Sequence, residues 1–132
     1  MTESANRMVA VVVGGFFVLF GGLGFTATGG VGFVSSEGGR LFGVFELNPL
    51  HNVIHLLIGA ALVIAALSGV RAARTANLAV GTLLLLIGIA GLFVADTPFN
   101  LLALNTPDHA LHFAGAVLLL AAGLGADKPA GA

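Results

Sequence analysis

The chain consists of long apolar runs separated by short polar segments. Four runs have about the twenty residues that a helix needs to cross a bilayer, and they cover residues 8–28, 49–69, 78–95 and 107–125. Their apolar positions are continuous and do not alternate, which predicts helices. Helices or a closed barrel are the only structures that satisfy the backbone inside a bilayer. The pattern therefore predicts an all-α, integral membrane four-helix bundle, with residues 1–132 as a single transmembrane domain.

Composition narrows the possible partners and chemistry. Hydrophobic residues make up 58% of the chain and charged residues only 8%, against about a quarter charged in an average soluble domain. The net charge is −1 and the charges are scattered singly, so we expect a lipid bilayer as partner and no nucleic acid. Cysteine is absent, which excludes disulfides and thiol chemistry. Histidine and carboxylate side chains are the reactive groups that remain.

The charged residues predict an orientation. One side of the four-span arrangement carries most of the basic residues, namely Arg7, Arg71, Arg74 and Lys128. The other side carries one arginine and four acidic residues, namely Arg40, Glu37, Glu46, Asp96 and Asp108. The positive-inside rule then predicts a multi-pass protein of the inner (cytoplasmic) membrane with both termini cytoplasmic. The outer loop 29–48 begins glycine-rich and turns apolar, so we expect its second part to lie in the interface or to enter as a short helix.

An internal repeat relates the two halves of the chain. Residues 42–55 read FGVFELNPLHNVIH and residues 99–112 read FNLLALNTPDHALH, and an offset of 57 aligns an Asn and a His in both. Glycines of the first run recur in the third at an offset of 67, as Gly14, Gly21 and Gly24 with Gly81, Gly88 and Gly91. The repeat predicts two parallel helical hairpins, 8–69 and 77–125, related by an axis along the membrane normal. The glycines indicate close helix packing.

The register of the repeat has one alternative. Aligning Pro49 with Pro107 gives an offset of 58 and sets His55 opposite Phe113. The offset of 57 keeps the Leu-Asn step and matches His55 with His112. We therefore prefer the offset of 57.

Polar residues cluster where the second and fourth runs begin. Asn48-Pro49 and Thr106-Pro107 are typical helix starts, with a capping side chain followed by proline at the first helical position. Each helix start is followed by two ionisable residues four positions apart, and this spacing places both on one helical face. In the second run they are His51 and His55, and in the fourth run they are Asp108 and His112. If the two helices pack together, these four side chains converge near the outer surface.

Several functions are compatible with this cluster. His51, His55, Asp108 and His112 could bind a divalent metal such as zinc, manganese or iron. His55 and His112 alone could be the axial ligands of a haem b. A proton, quinone or lipid-headgroup site is a third possibility, and cross-helix hydrogen bonds without any cofactor are a fourth. No nucleophile or general base accompanies the histidines, so we predict no catalytic residues; the sequence favours a non-enzymatic protein and leaves enzymatic activity open.

The two polar stretches also resemble a known family. LNPLHNVIHL at 47–56 and LNTPDHALH at 104–112 are similar to the Leu-Asn-x-x-His-Asn-x-x-His-Leu and Leu-Asn-x-x-Asp-Asn-x-x-His stretches of a bacterial family of small four-helix membrane proteins. That family is catalogued only as a domain of unknown function. The resemblance implies the fold and the preferred register, and it implies no activity. This chain departs from the pattern at His109, where the family more often has asparagine.

These features lead to a functional prediction. We expect a small membrane protein that serves as an accessory or structural subunit of a larger membrane complex, or that associates with itself. A haem or metal carrier is the main alternative, and a proton, quinone or lipid-interacting element is the second. A proton-conducting role has less support because residues 56–66, 83–94 and 113–122 carry no charge.

Overall fold

A computed structural model describes residues 4–127 and confirms four membrane-length helices. The helices are α1 (Ala5–Gly24), α2 (Pro49–Ser68), α3 (Val70–Val94) and α4 (Thr106–Gly125). All four are long and apolar enough to cross a membrane. Helices of 20 residues are about 30 Å long, which matches the hydrocarbon core of a bilayer. The predicted cytoplasmic residue Lys128 lies outside the described residues.

The connection between α2 and α3 is shorter than the sequence indicated. Helix α3 begins at Val70 and not at Leu78, and a single residue, Gly69, joins it to α2. Gly69 has φ 148° and ψ 178°, a conformation that is essentially restricted to glycine. The polar residues Arg74 and Asn77 interrupted the apolar run, but both lie on α3 and bond to neighbouring helices. Tertiary hydrogen bonds thus allow a helix to continue through a polar stretch.

The second part of loop 29–48 is a β-hairpin, and the short helix that we considered for it does not form. Strands β1 (Gly39–Leu41) and β2 (Phe45–Leu47) pair antiparallel. Phe42 and Gly43 both have positive φ, 57° and 69°, the backbone of a type I′ turn. That turn matches the twist of a hairpin, so the local backbone favours paired strands over a helix.

The β-hairpin packs onto the end of the bundle where α2 and α4 begin. Leu41 and Leu47 are buried against Phe20 of α1. The ring of Phe45 meets the ring of Phe20 edge to face, with centroids 5.0 Å apart. The hairpin therefore covers α1 on the side where α2 and α4 begin.

Glycines allow α1 to approach α2 closely and α3 to approach α4 closely, as predicted. Helix α1 packs mainly on α2, and α3 packs mainly on α4. A Cβ added to Gly14 would lie 2.8 Å from the backbone oxygen of Gly59, and one added to Gly81 would lie 2.9 Å from Cγ of Leu120. Both distances are below normal van der Waals contact, so a side chain at either position would displace the neighbouring helix backbone or side chain.

The two ends of the described chain meet at the opposite end of the bundle. One carboxylate oxygen of Asp127 accepts hydrogen bonds from Ser4 Oγ, from the Asn6 backbone N–H and from Asn6 Nδ2, each at 2.9 Å. Asn77 of α3 donates to Asn6 O and Oδ1, each at 3.0 Å. These bonds join α1, α3 and the residues that follow α4.

Two arginines cap helix C-termini at this same end. Arg7 Nε donates to the carbonyl of Ala66 in α2 at 2.7 Å. Arg74 Nε donates to the carbonyl of Gly123 in α4 at 2.9 Å. The last carbonyls of a helix lack intrahelical partners and carry partial negative charge, so a guanidinium stabilises them.

Candidate metal centre

Two asparagine caps position the polar side chains of α2 and α4. Asn48 Oδ1 accepts from the backbone N–H of His51 at 2.9 Å, and Asn105 Oδ1 accepts from that of Asp108 at 3.3 Å. Such caps fix where a helix begins and therefore which way its first side chains face. They direct the first turns of α2 and α4 toward each other.

Three histidines converge between the two helices. Nε2 of His112 lies 3.3 Å from Nε2 of His51 and 3.1 Å from Nε2 of His55. One ring nitrogen from each histidine lies within 4.8 Å of the other two. All three side chains are at most 1% exposed. The structure thus brings together three of the four residues that the sequence singled out.

Asp108, the fourth, is not part of this cluster. Its Oδ2 accepts from the backbone N–H of Asn105 at 3.0 Å, which completes a capping box at the start of α4. Its Oδ1 is buried without a hydrogen-bond partner among the described residues. His109 also lies apart from the cluster, with its ring against Gly91, where a Cβ would come within 2.7 Å of it.

Phenylalanines form one wall of the cluster. The ring centroid of His55 is 5.1 Å from that of Phe17 and 5.6 Å from that of Phe20. Both phenylalanines belong to α1 and are buried. The sequence analysis did not include them, because α1 carries no polar residue at this level and its apolar pattern gives no sign of a neighbouring site.

A backbone carbonyl orients His51. Nδ1 of His51 lies 3.0 Å from the carbonyl oxygen of Leu102. A carbonyl can only accept, so Nδ1 donates and carries the proton of the neutral ring. Nε2 of His51 then presents a lone pair to the cluster. No sequence signal marks Leu102, because only its backbone takes part.

Hydrogen bonds alone do not satisfy the cluster. His112 Nε2 faces two nitrogens at once, and Nε2 of His51 has no proton to offer. A single N–H between these rings can point along one of the two short contacts, which leaves the other without a hydrogen. Facing lone pairs repel unless a proton or a cation lies between them. A positively charged species in contact with all three Nε2 atoms would remove this conflict.

Comparison with known proteins identifies a family but no activity. A family model described as "Domain of unknown function (DUF4383)" matches residues 7–125. The match includes α2, α3, α4 and most of α1, and it confirms the resemblance seen in the sequence. Searches of curated proteins and of solved structures found no match.

Proposed function

Because the chain belongs to the family described as "Domain of unknown function (DUF4383)", whose description assigns no activity, we propose a function from geometry. The protein is a membrane-embedded metal-binding protein. It holds one divalent transition-metal ion through Nε2 of His51, His55 and His112. The observation that carries this proposal is the convergence of three buried ring nitrogens.

Two of the three nitrogen–nitrogen distances match those around a tetrahedral metal. Zinc–histidine bonds are about 2.0–2.1 Å long, so two ligand nitrogens at a tetrahedral corner lie about 3.3 Å apart. The contacts of His112 with His51 and His55 are 3.3 and 3.1 Å. Imidazole ligands suit zinc, copper, iron and nickel. Three protein ligands leave a fourth position for water or another exchangeable ligand, as in catalytic zinc sites.

The environment of His51 supports the same proposal. Histidines that bind metals usually donate their other ring N–H to a carbonyl or carboxylate, which fixes the tautomer and ring orientation. His51 makes this bond with the carbonyl of Leu102. Its Nε2 is therefore directed into the cluster as a lone-pair donor before any metal binds.

A haem has less support than a single ion. Axial histidines bind opposite faces of the iron, so their nitrogens are separated by two bonds of about 2 Å each, with the macrocycle between them. Nε2 of His55 and Nε2 of His112 are only 3.1 Å apart. The ring of His51 also lies 4.3 Å from that of His55, in space that a macrocycle would need.

We further propose that the site is shared by two repeated halves, and two reciprocal hydrogen bonds support this. Asn48 Nδ2 donates to Leu101 O at 2.7 Å, and Asn105 Nδ2 donates to Val44 O at 2.9 Å. The offset of 57 maps Asn48 onto Asn105 and Val44 onto Leu101. Each half thus caps its own helix and binds the loop of the other half.

The arginine caps support the same repeat. An offset of 67 maps Arg7 onto Arg74, and an offset of 57 maps Ala66 onto Gly123, so the bonds from arginine to carbonyl are equivalent. In this arrangement the first half supplies His51 and His55, and the second supplies His112. The metal would hold the two halves together.

The other functional predictions stay proposals. A role as accessory or structural subunit of a larger membrane complex is compatible with a metal site. The meeting of Ser4, Asn6 and Asp127 is compatible with both termini on the cytoplasmic side of the inner membrane. Arg7 and Arg74 at that end support this orientation through the positive-inside rule.

Metal content tests the proposal. The protein is purified in mild detergent, stripped with chelator, reloaded with Zn²⁺ or Co²⁺, and analysed for bound metal and for the visible absorption of Co²⁺. We expect one equivalent per chain in the wild type and a loss of at least tenfold in affinity in His55→Ala and His112→Ala. His109→Asn is the matched control, since it removes a buried imidazole of α4 outside the cluster, and it should bind like the wild type.

Circular dichroism and gel filtration show whether each variant is folded. Folded wild-type protein that takes up neither metal would overturn the proposal in favour of a hydrogen-bonded cluster. Equal loss of metal in His109→Asn and His112→Ala would also contradict it, because the effect would then not be specific to the three nitrogens.

A further inference from the structure

Phe42 and Phe99 are the two most exposed phenylalanines of the loops at the end of the molecule where the histidine cluster lies. Phe42 lies in the turn of the β1–β2 hairpin and is 72% exposed. Phe99 lies in the loop between α3 and α4 and is 77% exposed. The offset of 57 relates the two positions. Most of the surface of each residue is therefore not covered by the described part of the chain.

Hydrogen bonds fix the depth of both loops. Val44, two residues after Phe42, accepts from Asn105, the cap of α4. Leu101, two residues after Phe99, accepts from Asn48, the cap of α2. Each loop is therefore tied to the level at which a membrane helix begins. Because the spanning helices match the hydrocarbon thickness, that level is the boundary between acyl chains and headgroups.

The backbone at Phe42 is unusual for an exposed aromatic residue. Its φ is 57°, where bulky residues are uncommon and where hairpin turns normally have asparagine, aspartate or glycine. Burial within the protein does not offset this cost, since most of the ring surface is exposed. A contact outside the chain would offset it.

The composition indicates what that contact is. Membrane proteins usually place Trp and Tyr at the two interfaces, and this chain has neither, while it has 10 phenylalanines. We propose that Phe42 and Phe99 insert into the phospholipid interface of the leaflet at the cluster end. They anchor the hairpin and the α3–α4 loop there. Through the caps Asn48 and Asn105, they hold the histidines at a fixed depth below the headgroups.

The lack of tryptophan permits a direct measurement of depth. Phe42→Trp and Phe99→Trp each create a protein with one tryptophan. Each is reconstituted into phosphatidylcholine vesicles whose acyl chains are brominated either near the carbonyl end or near the terminal methyl. Leu57→Trp is the control, because Leu57 is 64% exposed near the middle of α2.

We expect fluorescence of the Phe42→Trp and Phe99→Trp proteins to be quenched at least twofold more by shallow than by deep bromines. Leu57→Trp should show the reverse order, which also demonstrates a folded, inserted protein. Quenching by aqueous iodide and by neither bromine would overturn the proposal, because the rings would then lie in water or against another protein. Stronger quenching by deep bromines would overturn it as well. These outcomes do not depend on metal binding, so the two proposals fail separately.

Discussion

Asn48 combines several hydrogen bonds in one fully buried side chain. Its Oδ1 caps α2, and its Nδ2 donates to the carbonyls of Ser35 and Leu101. The sequence predicted the cap, because asparagine before proline is a frequent helix start. It could not predict the two donations, because their acceptors are backbone atoms brought near by folding.

We expect Asn48→Ala to lower the free energy of unfolding by about 2–4 kcal/mol. The loss of a cap costs about 1 kcal/mol, and the loss of each hydrogen bond from Nδ2 to the carbonyls of Ser35 and Leu101 adds about 0.5–1.5 kcal/mol. Asn48→Asp separates these effects, since it keeps the capping oxygen but removes both N–H donors. We expect it to be destabilised as well. Thermal unfolding in detergent measures both variants, and wild-type stability of Asn48→Asp would contradict a role for the bonds to Ser35 and Leu101.

For Asp108, the sequence spacing predicted the wrong neighbours. The sequence grouped it with His112 because residues four apart share a helical face. The structure uses its carboxylate in the capping box with Asn105, because the third helical position lies beside the free N–H groups of the first turn. The carboxylate is therefore bonded within its own helix turn and lies apart from the three imidazoles.

Among the helices, adjacent glycines of α1 differ in what surrounds them. A Cβ on Gly14 would lie 2.8 Å from Gly59 O and from Leu62 Cβ, whereas one on Gly15 would meet nothing within 4 Å. The first position faces α2 and the second faces outward. The sequence predicted this interface from the glycine spacing, since Gly14 recurs as Gly81 at an offset of 67, whereas the same offset from Gly15 leads to Thr82.

Gly14→Ala should destabilise the protein by about 1–3 kcal/mol, because a methyl group forced into a packed contact moves backbone or side chains. Gly15→Ala is the matched control and should be neutral or slightly stabilising, since alanine favours a helix by up to about 1 kcal/mol over glycine. Unfolding in a series of denaturing detergent concentrations compares the two. Similar effects of both substitutions would contradict close packing at Gly14.

The pattern of apolar residues did not predict the start of α3 or the β1–β2 hairpin. Hydropathy started the third run at Leu78, after the polar residues Arg74 and Asn77, yet both residues belong to α3 because partners on other helices bind them. The apolar residues 41–47 were compatible with an interfacial helix. The positive φ values of Phe42 and Gly43 and the surface offered by Phe20 favour strands.

At the scale of the whole molecule, hydrogen bonds join both ends of the described chain. The Asn6 backbone N–H, the Ser4 hydroxyl and the Asn6 amide all bond the carboxylate of Asp127 and lower its pKa below the ordinary 3.8. A carboxyl whose pKa is lower in the folded state stabilises the fold above its unfolded pKa. This contribution is lost as the pH falls through the folded value.

Asp127→Asn tests this contribution. At neutral pH the variant should melt at a lower temperature than the wild type, because its neutral amide accepts these bonds less strongly than a carboxylate. Below pH 3.8 the difference should shrink as Asp127 of the wild type is protonated. Melting curves across this range, with the other acidic residues unchanged in both proteins, measure the effect. A difference that is constant with pH would contradict the proposed role of the charge.

The sequence by itself determined the membrane fold and most of the candidate site. A continuous apolar run in lipid must satisfy its own backbone hydrogen bonds, which favours a helix. The Asn48-Pro49 motif predicted where α2 begins, whereas the cap of α4 is Asn105, one residue before the predicted Thr106. The tertiary structure decided which polar side chains meet. His51, His55 and His112 share a site because the bundle brings histidine side chains near the starts of α2 and α4 into contact, and the Leu102 carbonyl orients one ring. Local spacing limits which residues share a face, but only packing determines what that face contacts.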